Sequence, residues 1–385
     1  MRFRSSFSSR RPELGFLEKV VSINWGLIVL IAMAASIGFA TQYSAAGGSL
    51  EPWAGRQMVR FAIGLAVLLV VALVPLRWWF KLAYPIYTAA FLLLIAVEIA
   101  GRIGMGAQRW LDLGVFQVQP SELMKIGLIL VLARYFHGMN QENIGRVTYL
   151  IWPIVIALAP AALVVKQPDL GSALILLSVT GGMLFLAGVR LWKFGAVIAA
   201  GLAILPVAWG HLRTYQKQRV LTFINPENDP LGSGYHIIQS KIALGSGGIW
   251  GKGFLQGTQS HLQFLPEKQT DFIFTTFAEE FGMVGGMVLI ALYAAILVYG
   301  MMIALLSKSQ FGRLMAAGIM VSFWVYAFVN MAMVMGMLPV VGEPLPFVSY
   351  GGTSLMTLLI SFGLVINAYV HRDSFVGRYG DEGGG

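Results

Sequence analysis

The stretch LPEKQTDFIFTTFAEEFGMVGG, Leu265 to Gly286, brings Glu267, Lys268, Asp271, Glu279 and Glu280 to the threshold of an apolar run. An ionised group costs roughly 2.5–3.5 kcal/mol at the centre of a bilayer, so a helix entering lipid keeps one only where it is paired or used. Asp271 stands at the mouth of the run, beside a basic polar segment. One reading makes Thr270 or Asp271 the cap of the following helix. The other makes Asp271 a general base, placed to take a proton from a substrate at the membrane face. Glu279 and Glu280 come two turns later. At ~100° per residue they stand about 80° and about 180° around a helix from Asp271, so the three do not face one cavity.

Other ionisable groups interrupt apolar sequence. VQPSELMKIG opens a helix at Pro120 and sets Glu122 and Lys125 three apart on one face. KQPDLGSA places Lys166 and Asp169 around Pro168 at another helix start, and Glu98 falls late in an earlier run. Ion pairs that fix helix register are the plain account of such groups. Intramembrane charges are also functional candidates by default. The polar segment adds Arg213, Lys217, Arg219, Lys241 and Lys252, and Arg109 lies upstream. These cations suit either a solvated surface or an anionic ligand.

Several chemistries are excluded or weakened. GSGGIWGKG, Gly245 to Gly253, has Ser246 where a phosphate loop needs Gly and Gly253 where it needs Ser or Thr. Its glycines suit tight turns or a close backbone approach to a ligand. The chain has no cysteine, which removes thiol catalysis, disulfides and Cys-ligated metals. His137, His211, His236, His261 and His371 lack metal-ligand spacing. Carboxylate-held magnesium or manganese stays open, because it needs few protein ligands.

The elements that must position these residues are membrane helices. Of 385 residues, 57% are hydrophobic and only 12% charged, about half the charge of a soluble domain. Apolar runs predict an all-α polytopic protein with ten spans near 22–43, 57–75, 80–100, 120–136, 147–165, 169–188, 191–209, 272–306, 312–337 and 350–370. The first run follows a basic tail and is longer than a signal peptide's core, so it reads as a retained helix. Lys and Arg crowd the loops on the side of both termini, whereas 338–349 on the opposite side has neither. That bias places both termini in the cytoplasm. The expected organisation is a basic cytoplasmic tail (1–21), helices one to seven (22–209), a large extracytoplasmic loop (210–271), helices eight to ten (272–370) and a cytoplasmic tail (371–385). The net charge of +9 then records topology and lipid contact, not nucleic-acid binding.

Six blocks, GAQRWLDLG, FQVQPSELMKI, KQPDLGSA, RVLTFINPENDPLGSGYHIIQSKIALGSGG, LPEKQTDFIFTTFAEEFG and PLPFVSYGGTSLM, together resemble the SEDS family (shape, elongation, division and sporulation). The resemblance runs from about Gly26 to Tyr369. AQRWLDLG and TDFIFTTFAEE favour the elongation branch over the division branch. It implies ten membrane helices in the bacterial inner membrane and polymerisation of lipid II into glycan strands for cell elongation and rod shape. It also implies a class B penicillin-binding protein as cross-linking partner. The family's essential aspartate falls on Asp271, its polar pair on Glu122 and Lys125, and its QPD aspartate on Asp169. The chain departs at Gln269 and Glu343, neither at the proposed base. No organic cofactor is implied; a divalent cation or the basic pool would hold the diphosphate. A lipid II transporter and a non-enzymatic scaffold for the penicillin-binding protein are the rival readings.

Overall fold

The computed structural model describes residues 15–104, 107–112, 114, 117–211, 214–228, 232–258, 267–374 and 376–377. The chain forms helices α1 (Phe16–Val21), α2 (Trp25–Ala45), α3 (Ala54–Leu73), α4 (Leu76–Ala100), α5 (Pro120–His137), α6 (Gln141–Ile144), α7 (Val147–Lys166), α8 (Leu170–Ala187), α9 (Leu191–His211), α10 (Thr214–Ile224), α11 (Ser233–Gly247), α12 (Ile273–Leu306), α13 (Gln310–Val334) and α14 (Gly352–Val370). Among the described residues eight helices are long and apolar enough to cross a membrane: α2, α3, α4, α7, α8, α12, α13 and α14. The protein is therefore membrane-embedded. Of the other two expected spans, α5 carries Glu122, Lys125 and Arg134, and α9 qualifies as a shorter apolar helix over Leu191–Ile204.

The all-α expectation needs one correction. A three-stranded antiparallel sheet, β1 (Arg102–Gly104), β2 (Ala107–Asp112) and β3 (Gln117–Val118), joins α4 to α5. Strands of three, six and two residues are too short for hydropathy to reveal them. The segment 210–271 contains α10, α11 and a 3-10 turn at Pro226–Asn228.

Helix α5 is the bundle's pillar, with Met124 to Ala133 buried without a break. A helix buried on every face has exchanged lipid for protein. It packs against α4, α8 and α13, while α3 packs along α14 and α11 against α12. Helix α9 differs: its apolar residues Leu191, Trp192, Val197, Ile198, Leu202 and Ile204 are all exposed. Its described ties are a ring contact between Phe194 and Phe185 and a hydrogen bond from Lys193 Nζ to the Gly145 carbonyl.

The connection 335–351 is irregular backbone buried at one end of the bundle, with Leu345, Phe347 and Val348 at most 2% exposed. Such backbone survives away from water only when its polar groups are paired. Gln42 Nε2 donates to Val348 O (2.8 Å), Gln57 Nε2 to Ser349 O (3.1 Å) and Tyr293 OH to Pro346 O (2.6 Å). Three helices thus fix this connection, and it forms one wall of the site.

Candidate functional site

Helix α12 is two helices. Gly282 has φ 65° and ψ −164°, a non-helical conformation that breaks the ladder. The backbone groups so freed are taken up by Gly248–Gly253. Met283 N donates to Gly248 O (2.9 Å) and Val284 N to Ile249 O (3.1 Å); in return Lys252 N donates to Glu279 O (3.0 Å) and Gly253 N to Glu280 O (3.0 Å). A Cβ on Gly251 would strike the Glu280 carbonyl oxygen, and one on Gly282 the Gly251 nitrogen. The glycines of GSGGIWGKG therefore permit a close approach to α12, not to a ligand.

This splice explains how the run keeps its charges. Met283 to Leu306, at ~1.5 Å per residue, extends ~36 Å and crosses a ~30 Å hydrocarbon layer alone. Ile273–Phe281 is a separate segment packed inside protein. Within it Glu279, fully buried, accepts from Lys252 Nζ (2.6 Å), Thr258 N (2.9 Å) and Thr258 Oγ1 (3.0 Å). Glu280 accepts from Ser44 Oγ. Both carboxylates hold the splice together, and Lys252 leaves the pool of ligand-binding cations for the same reason.

Asp271 precedes this segment and is half-buried. The N-cap position is Phe272, one residue beyond the expected Thr270 or Asp271. The turn is stitched to its neighbours by backbone. Asn330 Nδ2 donates to Asp271 O (2.9 Å) and also to Glu343 O (2.7 Å), Ser349 Oγ to Thr270 O (2.6 Å), and Tyr350 N to Gln269 O (2.8 Å). Gly342, at φ 77°, lies against the Asp271 carboxylate: a Cβ there would sit 3.3 Å from Oδ2. From the other side, α11 is tied to the segment by Ser240 Oγ, 2.8 Å from Thr275 Oγ1 and 2.9 Å from Val334 O.

Glu122 and Lys125 form a buried pair at 2.6 Å. Tyr326 OH donates to Glu122 Oε1 (3.0 Å), Thr357 Oγ1 to Oε2 (3.2 Å), and Lys125 Nζ lies 4.2 Å over the Tyr326 ring. The pair lines a cavity of ~50 Å³, which it shares with Pro344, Ser349, Ser354 and Ser361. Ser349 joins this cavity to the turn bearing Asp271. Removing one member of a buried pair leaves an uncompensated charge, at a cost of ~3–5 kcal/mol. Lys125→Met is accordingly expected to lower the thermal midpoint in detergent sharply, and Glu122→Gln with Lys125→Met to restore most of it.

Asp169 is buried and does cap its helix, accepting from Ser172 N (3.2 Å). Strand β2 delivers Arg109 to it: Nη2 donates to Pro168 O (2.6 Å) and Nε lies 3.8 Å from Asp169 Oδ2. Glu98 and Lys166 pair at 2.8 Å, the register-fixing role anticipated for Glu98. Lys241 lies against Gly336 in the same connection as Gly342, and Lys217 is half-buried on α10. Arg213 and the side chain of Arg219 lie outside the described residues.

Sequence reasoning passed over Asn330, Tyr326, Ser349 and Thr357, polar residues of a kind common in apolar helices, with no signal to mark them. Glu343 carried a signal, as a carboxylate in an otherwise uncharged connection. It is 3% exposed and accepts from Ser172 Oγ (3.0 Å). Burial above all, with Asp169 and Glu122 adding and Lys125 and the Ser172 hydroxyl opposing, pushes its carboxyl up to about 8.

Among the described residues no cluster of three or more His, Asp or Glu side chains is placed to hold a metal ion. The geometry is a carboxylate on a backbone-locked turn, a cavity with a buried pair, and Arg109 beside a second buried carboxylate, Asp169. Residues 18–374 match the FtsW, RodA and SpoVE family model, described as cell cycle protein. The chain is 44% identical over 366 residues to the peptidoglycan glycosyltransferase MrdB of Escherichia coli, covering 93% of this chain and 96% of that one. It is 37% identical over 369 residues to the probable peptidoglycan glycosyltransferase FtsW of Trichlorobacter lovleyi, with 94% of each covered. A solved structure described as "Structural coordination of polymerization and crosslinking by a peptidoglycan synthase complex" superposes with TM-score 0.80 at 35% identity, covering 91% of this chain and 98% of that one. Thermus thermophilus rod shape determining protein RodA superposes with TM-score 0.69 at 30% identity, covering 91% and 97%. The motif blocks, the matched residues and the superposed fold agree: the chain belongs to the SEDS family of cell cycle proteins that includes FtsW, RodA and SpoVE.

Proposed function

We propose that this protein is a peptidoglycan glycosyltransferase that polymerises lipid II, with Asp271 as general base. The observation that carries the reading is Asp271 itself: a half-buried carboxylate on a turn fixed through its backbone, joined through Ser349 to a cavity that holds Glu122 and Lys125. An acceptor sugar hydroxyl attacks the anomeric carbon of the donor as Asp271 takes the hydroxyl proton. The new glycosidic C–O bond forms with inversion, and the bond to the diphosphate breaks. Undecaprenyl diphosphate departs as an anion, so no general acid is needed. By analogy this is the base half of an inverting glycosidase.

The departing anion needs positive charge. Arg109 beside Asp169 and Lys241 against Gly336 are candidates, with Lys217, Arg213 and Arg219 as the remaining pool. A magnesium or manganese ion would enter with the donor diphosphate, as a substrate's counter-ion. The polyprenyl chain lies in lipid against α9, whose exposed apolar surface is otherwise unpartnered among the described helix contacts. With α5 and α9 added to the eight qualifying helices, the bundle has ten spans, both termini are cytoplasmic, and Asp271 faces the periplasm of the inner membrane. A class B penicillin-binding protein cross-links the emerging strand; the superposed peptidoglycan synthase complex supports that pairing.

The test is direct. Purified protein, with and without its partner and a divalent ion, is given labelled lipid II, and products are resolved by gel. A ladder of glycan strands is expected. Lipid II that crosses vesicle bilayers yet stays monomeric would support the transporter reading instead.

A further inference from the structure

Glu343 has no part in the mechanism above, yet it is the point where the site's walls meet. Its side chain takes the Ser172 hydroxyl at the start of α8, and its backbone oxygen shares the Asn330 amide with Asp271. Its neighbour Gly342 touches the Asp271 carboxylate. The charged groups around it are Glu122 and Lys125 from α5, Asp169 from α8 with Arg109 of β2 behind it, and Asp271 from the turn before α12. Lys125 is already engaged by Glu122, and Arg109 lies alongside Asp169. Among the described residues Lys125 is the cation that offsets a charge on Glu343, and with Glu122 already on it one carboxylate more would face Asp169 and Glu122 with only partial relief.

We infer that Glu343 is a positioning residue for Asp271, working as a neutral carboxylic acid that clamps α8 to the connection 335–351, and that its ionisation switches the site off. This rests on Asp271 as base. The sign follows from the direction of the shift. The carboxyl is raised to about 8, so the neutral form prevails at neutral pH and is lost as pH rises through that value. Once Glu343 ionises, repulsion from Asp169 and Glu122 works against the Ser172 bond and displaces the connection, and a negative charge is added beside the turn that bears Asp271. Polymerisation then falls by about tenfold for each pH unit above the midpoint, as the neutral fraction does. The alkaline limb of the profile belongs to Glu343.

The experiment is the pH profile of lipid II polymerisation, in complex with the partner, for the parent, Glu343→Gln, Glu343→Ala and Asp271→Asn. Glutamine keeps the shape and stays neutral: it is expected to hold near-parental turnover at neutral pH and to stay flat where the parent declines. Alanine is expected to lose kcat with KM little changed, and glutamine to recover it. An alkaline limb in Glu343→Gln that superimposes on the parent's overturns the inference, as does a parent profile without that limb. If Glu343→Ala fails to fold, the glutamine profile alone decides. Near-parental activity in Asp271→Asn would instead sink the general-base reading, whatever Glu343 does.

Discussion

Asp271→Asn is expected to fold, to bind lipid II, and to polymerise it about 10²–10⁴-fold more slowly than the parent, the range that a positioned general base contributes. Asparagine preserves the shape of the side chain and cannot accept the proton. The turn should not collapse, because Asn330, Ser349 and Tyr350 hold it through backbone groups at Asp271, Thr270 and Gln269. That separation makes the variant informative. A loss of kcat with unchanged binding and an unchanged thermal midpoint assigns chemistry to the carboxylate. Equal losses of folding and activity would assign it to structure.

Gly282→Ala is expected to destabilise the protein by about 3–5 kcal/mol. The backbone there lies in a region that costs an L-residue about 1–3 kcal/mol. The added methyl would also push Gly251 away and break ladder bonds, each leaving a buried polar group worth about 1–3 kcal/mol. Gly286→Ala, four residues on, is the control: its Cβ would meet only Phe274, at 3.8 Å. Thermal unfolding in detergent should therefore separate the two alanines clearly. Similar midpoints would mean that the splice is not fixed in the folded protein.

Much of this architecture is legible before any coordinates. Apolar runs locate the long helices because lipid demands a fixed length of hydrophobic chain, and that demand is local. Glu122 with Lys125 is readable for a similar reason, since spacing on one helix brings the pair together without reference to the fold. The break at Gly282 is not readable. AEEFGMVGG looks helical throughout, and only Gly248–Gly253, about thirty residues earlier, supplies the carbonyls and amides that permit the break. The same non-local pairing hides the meaning of Lys252, which looks like a ligand-binding cation until Glu279 lies beside it. Asp271 stands out by its place at a helix mouth, yet the N-cap is Phe272, and what holds the turn, α13 and the connection 335–351, is distant in sequence.

The role of Asp271 can be tested apart from its shape by restoring a base to an emptied site. Purified Asp271→Ala, in complex with its partner, is assayed for lipid II polymerisation across a range of formate concentrations. We expect almost no glycan without formate and turnover that climbs as formate fills the space left by the carboxylate. Strand synthesis by Asp271→Ala at the parental rate, with no formate present, would contradict the proposed base.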